Sequence, residues 1–326
     1  MRSFGKWLGR GLLTLVVLLG GIYFLAPREP VLRPPSFDPA VLGTDLDAYL
    51  TASEAAFADI TPNTEKRIIW AGARGAKTPL ALIYLHGFSA TSEEIRPVPD
   101  LVARDLGANL FFTRLAGHGR GGAAMAEPHA GDWLTDLNEA LAIGQRLGER
   151  TIVLATSTGG TLAAIGATDP ELAGQIAGIV FVSPNFGLNS SAAFILDMPL
   201  ARWWGPLVAG AERRFAPMNE LHARFWTNTY PTVALFPMAA LVRHAGTRDF
   251  GSAKTPALFV FSVDDQVVSP EATQRVADRW GGQVTLDTVV TGAGDDPFSH
   301  VIAGDALSPG QTAAMVERIL LWIRNL

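Results

Sequence analysis

Short apolar runs alternate with longer segments of mixed polarity along most of the chain, from about residue 66 onward. An apolar run of about four to eight residues between turn residues is typical of a buried strand, and longer periodic segments are typical of helices. Their alternation predicts an α/β fold, in which a mostly parallel sheet has helices on both faces. The predicted strands cover residues 67–71, 80–85, 109–113, 151–155, 178–182, 257–262 and 283–290.

The helices predicted between these strands begin at recognisable capping residues. Asp132, Ser269 and Ser308 are the predicted N-caps. A proline follows both serines at the first helical position, and a glutamine three places after Ser308 gives that serine the spacing of a capping box. The predicted helices cover residues 98–106, 132–147, 158–167, 270–280 and 310–324.

The segment over about 184–252 is too long for a single helical crossover between two strands, so we predict an inserted cap there. Ligands of open α/β sheets bind outside the carboxyl ends of the strands, where an aromatic-rich cap would wall an apolar pocket. Most of its aromatic residues would form the core of the cap, and a minority would contact the ligand. The large apolar residues of this segment include Phe194, Trp203, Trp204, Phe215, Phe225, Trp226, Tyr230, Phe236 and Met238.

The N-terminus carries basic residues followed by the apolar run 11–26. Together with Trp7 and Leu8, this run is about long enough to cross a hydrocarbon core of roughly 30 Å. Pro27 directly after Ala26 spoils the most obvious cleavage point of a signal peptide. We therefore favour an uncleaved membrane anchor over residues 1–26, which contacts the bilayer through residues 7–26, over a cleaved signal peptide.

Positive charge before the apolar run predicts that the N-terminal side is cytoplasmic and that the rest of the chain lies outside the cytoplasm. The next segment, 27–45, is rich in proline and predicts an extended spacer. A globular domain over 46–326 is then expected, with the cap as its insertion. The spacer prolines are Pro27, Pro30, Pro34, Pro35 and Pro39.

Composition excludes several classes of function. The chain has 326 residues, of which 48% are hydrophobic, so it can bury one large core. Its net charge of -5 provides no basic surface for nucleic acid. The absence of cysteine excludes disulfides, thiol catalysis and thiolate metal sites, and the six histidines have no paired metal-ligand spacing.

Residues 117–122 formally match the Gly-x-Gly-x-x-Gly pattern of dinucleotide-binding proteins. No helix is predicted directly after this segment, however, and no acidic residue ends a strand at a suitable distance. Nucleotide binding is therefore disfavoured.

Ser157 stands between a predicted strand and a predicted helix, with Ala155 two places before it and Gly159 two places after. Small neighbours at these positions allow the sharp strand-to-helix turn that exposes a nucleophilic serine. The helix that follows directs its positive dipole end and free N–H groups toward an anion formed beside Ser157. A serine that only caps the helix would give the same local pattern.

A nucleophilic serine needs a base and a group that orients the base. Asp264 and Asp265 follow a strand whose end lies at the same sheet edge as Ser157, and His300 follows the last predicted strand. The order serine, acid, histidine is expected for one serine-triad topology. The backbone N–H groups of Phe88 and Thr158 are the predicted donors to the oxyanion.

These segments resemble the α/β-hydrolase superfamily, particularly its monoacylglycerol-lipase and serine-aminopeptidase-like branch. The resemblance favours Asp265 over Asp264 as the triad acid, because the residues after Asp265 resemble the acid loop of that family. Ala155 departs from the glycine that is usual in the family. The segments that carry the resemblance are His86-Gly87-Phe88, Gly117-His118-Gly119, Ala155-Thr156-Ser157-Thr158-Gly159, Asp265-Gln266-Val267-Val268 and Ser299-His300.

The resemblance implies an α/β-hydrolase fold with an eight-stranded, mostly parallel sheet. It also implies a cap inserted after the strand that follows the predicted helix 158–167. It also implies hydrolysis of a small-molecule acyl ester through Ser157, His300 and Asp265, without a cofactor. Aminopeptidase or thioesterase activity on the same fold remains an alternative. A non-catalytic, membrane-tethered binding protein is the alternative outside enzymes.

Overall fold

The computed structural model describes residues 2–34 and 36–326, so Pro35 of the predicted spacer and Met1 lie outside the described residues. All seven predicted strands are present, together with two short strands in the segment predicted as a cap. The strands are β1 (Arg67–Ile69), β2 (Thr78–Leu85), β3 (Asn109–Phe112), β4 (Gly148–Thr156), β5 (Gly178–Val182), β6 (Glu212–Arg214), β7 (Thr229–Pro231), β8 (Ala257–Phe261) and β9 (Val284–Thr288).

Seven strands form the main sheet in the order β1-β3-β2-β4-β5-β8-β9, and β6 pairs only with β7. All neighbours in the main sheet are parallel except β1, which runs antiparallel to β3. The expected eighth strand is absent from the described residues. The chain before β1 instead forms a turn, in which Asn63 has a φ of 78°. The N–H of Thr61 in this segment donates to the carbonyl of Gly119, which lies in a loop rather than in a strand.

Helices cover both faces of the main sheet, as the alternation of segments predicts. The helices are α1 (Arg2–Leu25), α2 (Leu46–Glu54), α3 (Val98–Leu106), α4 (Ala130–Leu147), α5 (Thr158–Ala167), α6 (Ala201–Ala209), α7 (Glu220–Phe225), α8 (Leu235–Gly246), α9 (Pro270–Arg279) and α10 (Thr312–Arg324).

Alternate side chains of β2 enter two separate hydrophobic clusters, one on each side of the sheet. Ile83 and Leu85 pack with residues of α4, α5, α8 and α9 on one side. Leu82 and Tyr84 pack with residues of α3 and α10 on the other. Because both faces of the strand are covered, its sequence is a continuous apolar run rather than an alternating one.

Two predicted helix starts are wrong. Helix α4 begins two residues before Asp132, whose carboxylate accepts the N–H of the N-cap residue His129 at 2.7 Å. Asp132 therefore closes a capping box from the third helical position. Ser308 makes no side-chain cap bond; its hydroxyl donates to the carbonyl of Val301, and a 3-10 turn separates it from α10. Ser269 does cap α9, since its side chain accepts the N–H of Ala272.

The start of α5 lies directly against the end of β2. A Cβ atom at Gly159 would stand 2.2 Å from the carbonyl oxygen of Leu85 and 2.9 Å from that of His86. Glycine at this position therefore allows the helix to approach the neighbouring strand, which brings the end of β2 beside Ser157.

We predict that Gly159→Ala destabilises the protein, because the added methyl group meets backbone that cannot rotate away. The expected loss is about 2–3 kcal/mol, which lowers Tm by roughly 5 °C or more in thermal unfolding of the full-length chain in detergent. Gly174→Ala is the matched control, since a Cβ there meets no atom within 4 Å. Equal Tm values for the two variants would contradict the close approach.

Candidate active site

Ser157 occupies the turn between β4 and α5 with a φ of 50° and a ψ of -116°. A residue other than glycine rarely adopts such backbone angles, and they persist only where the surrounding structure enforces them. Here the N–H of Ser157 donates to the carbonyl of Val182 on the neighbouring strand at 3.1 Å. Gly87 also approaches closely, because a Cβ atom on it would stand 3.0 Å from the Cβ of Ser157.

The structure brings Ser157, His300 and Asp265 together at the carboxyl edge of the sheet. The Oγ of Ser157 lies 3.1 Å from Nε2 of His300. On the other side of the ring, Nδ1 of His300 lies 2.8 Å from Oδ2 of Asp265. Residues from the segments that follow β4, β8 and β9 thus form one connected line of hydroxyl, imidazole and carboxylate.

Asp265 is fixed by the loop that carries it. Its Oδ1 accepts the N–H groups of Val267 at 2.8 Å and Val268 at 2.9 Å, which leaves Oδ2 for His300. Asp264, the rival candidate in the sequence, is exposed and makes no bond to His300. The structure therefore brings Asp265 rather than Asp264 to the imidazole.

The loop of His300 is held by the carboxylate of Asp296, which accepts the backbone N–H groups of His300 at 3.1 Å and Val301 at 2.9 Å. Asp295 instead accepts the N–H groups of Gly292 and Gly310. Both acids are turn residues, but only Asp296 orients the histidine.

The electrostatic environment favours a proton on His300. Burial alone would lower the pKa of the imidazole, but the charge of Asp265 and its hydrogen bond outweigh burial, so the pKa lies above its ordinary value of 6.5. Smaller contributions in the same direction come from Glu94 and Asp296. Asp265 therefore stabilises the imidazolium that forms when a hydroxyl proton moves to Nε2.

The two predicted oxyanion donors, the N–H groups of Phe88 and Thr158, belong to the segment after β2 and to the first residue of α5. Neither N–H donates a hydrogen bond to another residue in the described part of the chain. Free N–H groups beside a helix N-terminus favour an anion. Their role toward a reacting oxygen remains a prediction.

Glu94 is a residue of this region that sequence reasoning missed. Its Oε2 accepts the N–H of Gly87 at 2.7 Å and the hydroxyl of Tyr84 at 3.0 Å. That hydroxyl also lies 3.1 Å from Oγ1 of Thr156, the residue before Ser157. Burial raises the pKa of Glu94 to about 7, although the Gly87 N–H and the charge of His300 oppose this effect.

His86 holds the turn after β2. Its Nε2 accepts the N–H of Leu115 at 3.1 Å, so Nδ1 carries the proton and donates to the carbonyl of Gly87 at 2.9 Å. Burial and the neighbouring His118 hold the pKa of His86 well below its ordinary value. The ring is therefore neutral, and it contacts turn backbone rather than Ser157.

Elements between β5 and β8 cover this edge of the sheet. The ring of Tyr230 lies 5.5 Å from that of Phe88, and the Thr227 N–H donates to the Ser89 carbonyl at 2.7 Å. Ser157 is only 6% exposed beneath them. Of the aromatic residues in this segment, five are buried and two are strongly exposed. The buried ones are Phe225, Trp226, Tyr230, Phe236 and Phe250, and the exposed ones are Phe194 and Trp203.

No group of three or more histidine, aspartate or glutamate side chains in the described residues is arranged to hold a metal ion. The polar groups that converge at Ser157 are suited to acid–base and nucleophilic chemistry by the protein itself.

Comparison with known proteins gives the same fold. A structure described with the metagenome-derived lipolytic enzymes LipS and LipT is 21% identical, with a TM-score of 0.65 over 82% of this chain and 100% of that chain. A monoacylglycerol lipase of Paleococcus ferrophilus is 14% identical, with a TM-score of 0.55 over 79% of this chain and 98% of that one. Monoglyceride lipase of Saccharomyces cerevisiae is 11% identical, with a TM-score of 0.55 over 82% of this chain and 96% of that one.

A search of curated protein sequences finds no significant match. Residues 82–309, however, match the sequence profile of a family described as the alpha/beta hydrolase family. This match covers more than half of the chain and includes all the residues that meet at Ser157. The protein therefore belongs to the alpha/beta hydrolase family.

Proposed function

We propose that the protein is a serine hydrolase that cleaves carboxylic esters through an acyl-enzyme. The observation that carries the proposal is the line of hydrogen bonds from Oγ of Ser157 through His300 to Asp265, at 3.1 and 2.8 Å. In this arrangement Ser157 is the nucleophile, His300 the general base and Asp265 the group that fixes the imidazole tautomer.

In the first half of the reaction, Oγ of Ser157 bonds to the ester carbonyl carbon as its proton passes to Nε2 of His300. The N–H groups of Phe88 and Thr158 stabilise the oxyanion. The tetrahedral intermediate then collapses, the bond to the alcohol oxygen breaks, and the departing alcohol takes the proton from His300. An ester between the acyl group and Ser157 remains.

In the second half, water gives a proton to Nε2 of His300 and adds to the acyl carbon. Collapse of the second intermediate breaks the bond to Oγ of Ser157, which recovers the proton from His300. The carboxylic acid leaves, and the enzyme returns to its starting state without a cofactor.

An uncharged, apolar acyl group suits the residues around the proposed site. Phe88, the residue after Gly87, packs against a small apolar cluster that contains Tyr230 and Met125. Lipolytic enzymes and monoacylglycerol lipases are among the solved structures that share the fold, which is consistent with ester substrates. Aminopeptidases and thioesterases would use the same three side chains, so a substrate panel decides among them.

Glu94 is a positioning residue in this proposal. It accepts the N–H of Gly87, the residue before the proposed donor Phe88, and so holds the peptide next to the one that carries an oxyanion N–H. Through Tyr84 and Thr156 the same carboxyl group also contacts the strand that ends at Ser157. Its negative charge, when present, raises the pKa of His300.

We also propose that the N-terminal helix anchors the enzyme in a membrane. Residues Lys6–Leu25 are the one stretch of helix, among those described, that is long and apolar enough to cross a bilayer, and no part of it is buried by the protein. Basic residues before it favour a cytoplasmic N-terminus, which leaves the hydrolase domain on the other side.

We expect Ser157→Ala to abolish covalent labelling by a fluorophosphonate probe, because the probe reacts with an activated serine hydroxyl. His300→Ala should lower turnover of p-nitrophenyl butyrate on the order of a thousandfold or more. Asp265→Asn should also lose most activity, whereas Asp264→Asn, at an exposed residue without a contact to the imidazole, is the matched control. Near-normal turnover by the His300 variant would refute the proposed base.

The rate constant kcat/KM should rise with pH through an inflection above 6.5, because the base form of His300 is the neutral one and its pKa is raised. Glu94→Gln removes a negative charge that raises this pKa, so the inflection should move to lower pH. The amide oxygen of glutamine still accepts the Gly87 N–H, so kcat at high pH should stay close to that of the parent.

Glu94→Ala removes the acceptor as well, and kcat should fall roughly tenfold or more because the oxyanion donor is no longer held in place. A full pH–rate profile of the parent and both variants provides the measurement. If the glutamine variant kept the parent inflection and the alanine variant kept the parent kcat, Glu94 would have no positioning role.

The anchor proposal predicts that the full-length chain stays in the membrane pellet after extraction at alkaline pH, with residues 1–26 still attached in its intact mass. Val16→Arg combined with Leu19→Arg should release more of the chain, since each arginine at a helix centre costs about 2.5–3.5 kcal/mol of insertion. A mature chain that begins near residue 27 would instead identify a cleaved signal peptide.

A further inference from the structure

Helix α6 presents an apolar face to solvent where a surface helix normally carries polar residues. Its inner face is packed, because Ala201 is buried and a Cβ at Gly205 would stand 2.6 Å from the ring of Phe236. The outer face carries Trp203 and Leu207, which lie one turn apart and are 79% and 86% exposed. The exposed large apolar residues on and beside this helix are Phe194, Trp203, Leu207 and Val208, called the α6 patch below.

The segment directly before α6 is bonded to the residues directly after α1. The N–H of Leu200, the residue before α6, donates to the carbonyl of Pro27 at 2.9 Å. Nε of Arg28 donates to the carbonyl of Asp197 at 3.0 Å. At about 1.5 Å of rise per residue, Leu207 lies only about 10 Å along the helix from Leu200.

A partly buried ion pair strengthens this connection. Oε1 of Glu29, whose side chain is 5% exposed, lies 3.1 Å from a guanidinium nitrogen of Arg202 on α6. Arg243 on α8 contacts both the carbonyl of Glu29 and the carboxylate of Asp197. The residues directly after α1 are therefore packed against the domain that carries the α6 patch. They do not form a free linker between α1 and this domain.

Charge in this region also suits a lipid surface. Residues 198–211 contain no aspartate or glutamate, and the carboxylate of Asp197 is paired with Arg243. The strand β6 that follows adds exposed Arg213 and Arg214, and its one acid, Glu212, is paired with Arg214 at 2.9 Å. A surface with exposed tryptophan, leucine and arginine, whose nearby acids are paired with arginine, has the composition that binds the interface of anionic bilayers.

We propose that the α6 patch docks into the bilayer surface beside α1, so that the proposed active site faces the membrane that holds the anchor. The inference rests on the proposed membrane anchor, because the anchor sets the distance of the patch from the lipid. It deepens the proposed function by assigning the substrate to esters that reside in the bilayer surface.

Absence of cysteine from the chain makes a site-specific test direct. The test uses three single-cysteine variants of the full-length protein, Leu207→Cys, Leu18→Cys and Leu321→Cys. Each cysteine is labelled with nitrobenzoxadiazole, and the protein is reconstituted into vesicles of phosphatidylcholine and phosphatidylglycerol. Leu321 is the matched control, since it is an apolar residue of α10 on the other side of the sheet and is 64% exposed. Doxyl-labelled phospholipid quenches only labels that contact the bilayer.

The proposal predicts quenching at 207 and at 18 and none at 321. Quenching at 18 alone would overturn docking of the patch while leaving the anchor intact, and loss of quenching at 18 would refute the anchor itself. Energy transfer between two copies labelled at 207, without quenching by lipid, would identify a second copy of the chain as the occupant and would also overturn the proposal.

An activity measurement separates docking from catalysis. Combined Trp203→Glu and Leu207→Glu substitutions should lower hydrolysis of vesicle-borne esters on the order of tenfold, because two apolar contacts with lipid are replaced by charge. Hydrolysis of a soluble short-chain ester should be unchanged, since neither residue belongs to the proposed site. Equal losses on both substrates would contradict a docking role, and parent protein inactive on both would refute the proposed function while the quenching result still stood.

Discussion

The strained turn at Ser157 is the constraint on which the rest of the site depends. Its positive φ places the hydroxyl above the carboxyl edge of the sheet, and the arrangement requires backbone contact with a neighbouring strand. Gly159 supplies that contact, because any side chain there would collide with the carbonyl of Leu85. The same approach brings the turn after β2 beside Ser157, so one close contact positions both the proposed nucleophile and a proposed oxyanion donor.

Burial gives the charges around this turn their effect. Ser157, Asp265 and His300 are all less than one tenth exposed, and in such surroundings a carboxylate raises the pKa of a nearby imidazole more strongly than it would in water. The negative charge of Glu94 also raises the pKa of His300. Its own pKa of about 7 means that its charge changes close to neutral pH, which couples the hydrogen bonding of the Gly87 turn to the protonation of His300.

The sequence predicts the strands well because each one is an apolar run bounded by turn residues, and this signal is local. Helix starts are less predictable. Asp132 and Ser308 both have capping side chains, yet Asp132 acts from the third helical position and Ser308 binds a distant carbonyl. The prediction of an eighth strand was wrong for the described residues. It came from the resemblance to a family and not from a strand pattern in the residues before β1.

The candidate triad could be proposed from residue order, but the choice between Asp264 and Asp265 needed a resemblance, because two adjacent acids differ only in the direction of their side chains. Glu94 carried no sequence signal at all. It lies among other polar residues after β2, and its significance comes from two hydrogen bonds to the turn and strand beside Ser157. Contacts of this kind depend on packing and cannot be inferred from spacing along the chain.

The proline-rich segment after α1 shows how packing changes the meaning of a sequence pattern. Its composition is typical of an extended spacer, which would let the domain move freely above a bilayer. Glu29, however, is buried against Arg202, and the carbonyl of Pro27 bonds to Leu200, so the end of α1 has a fixed position beside α6. A fixed end restricts the orientations that the domain can take relative to α1, and the residues that fix it lie directly before α6 and in its first turn.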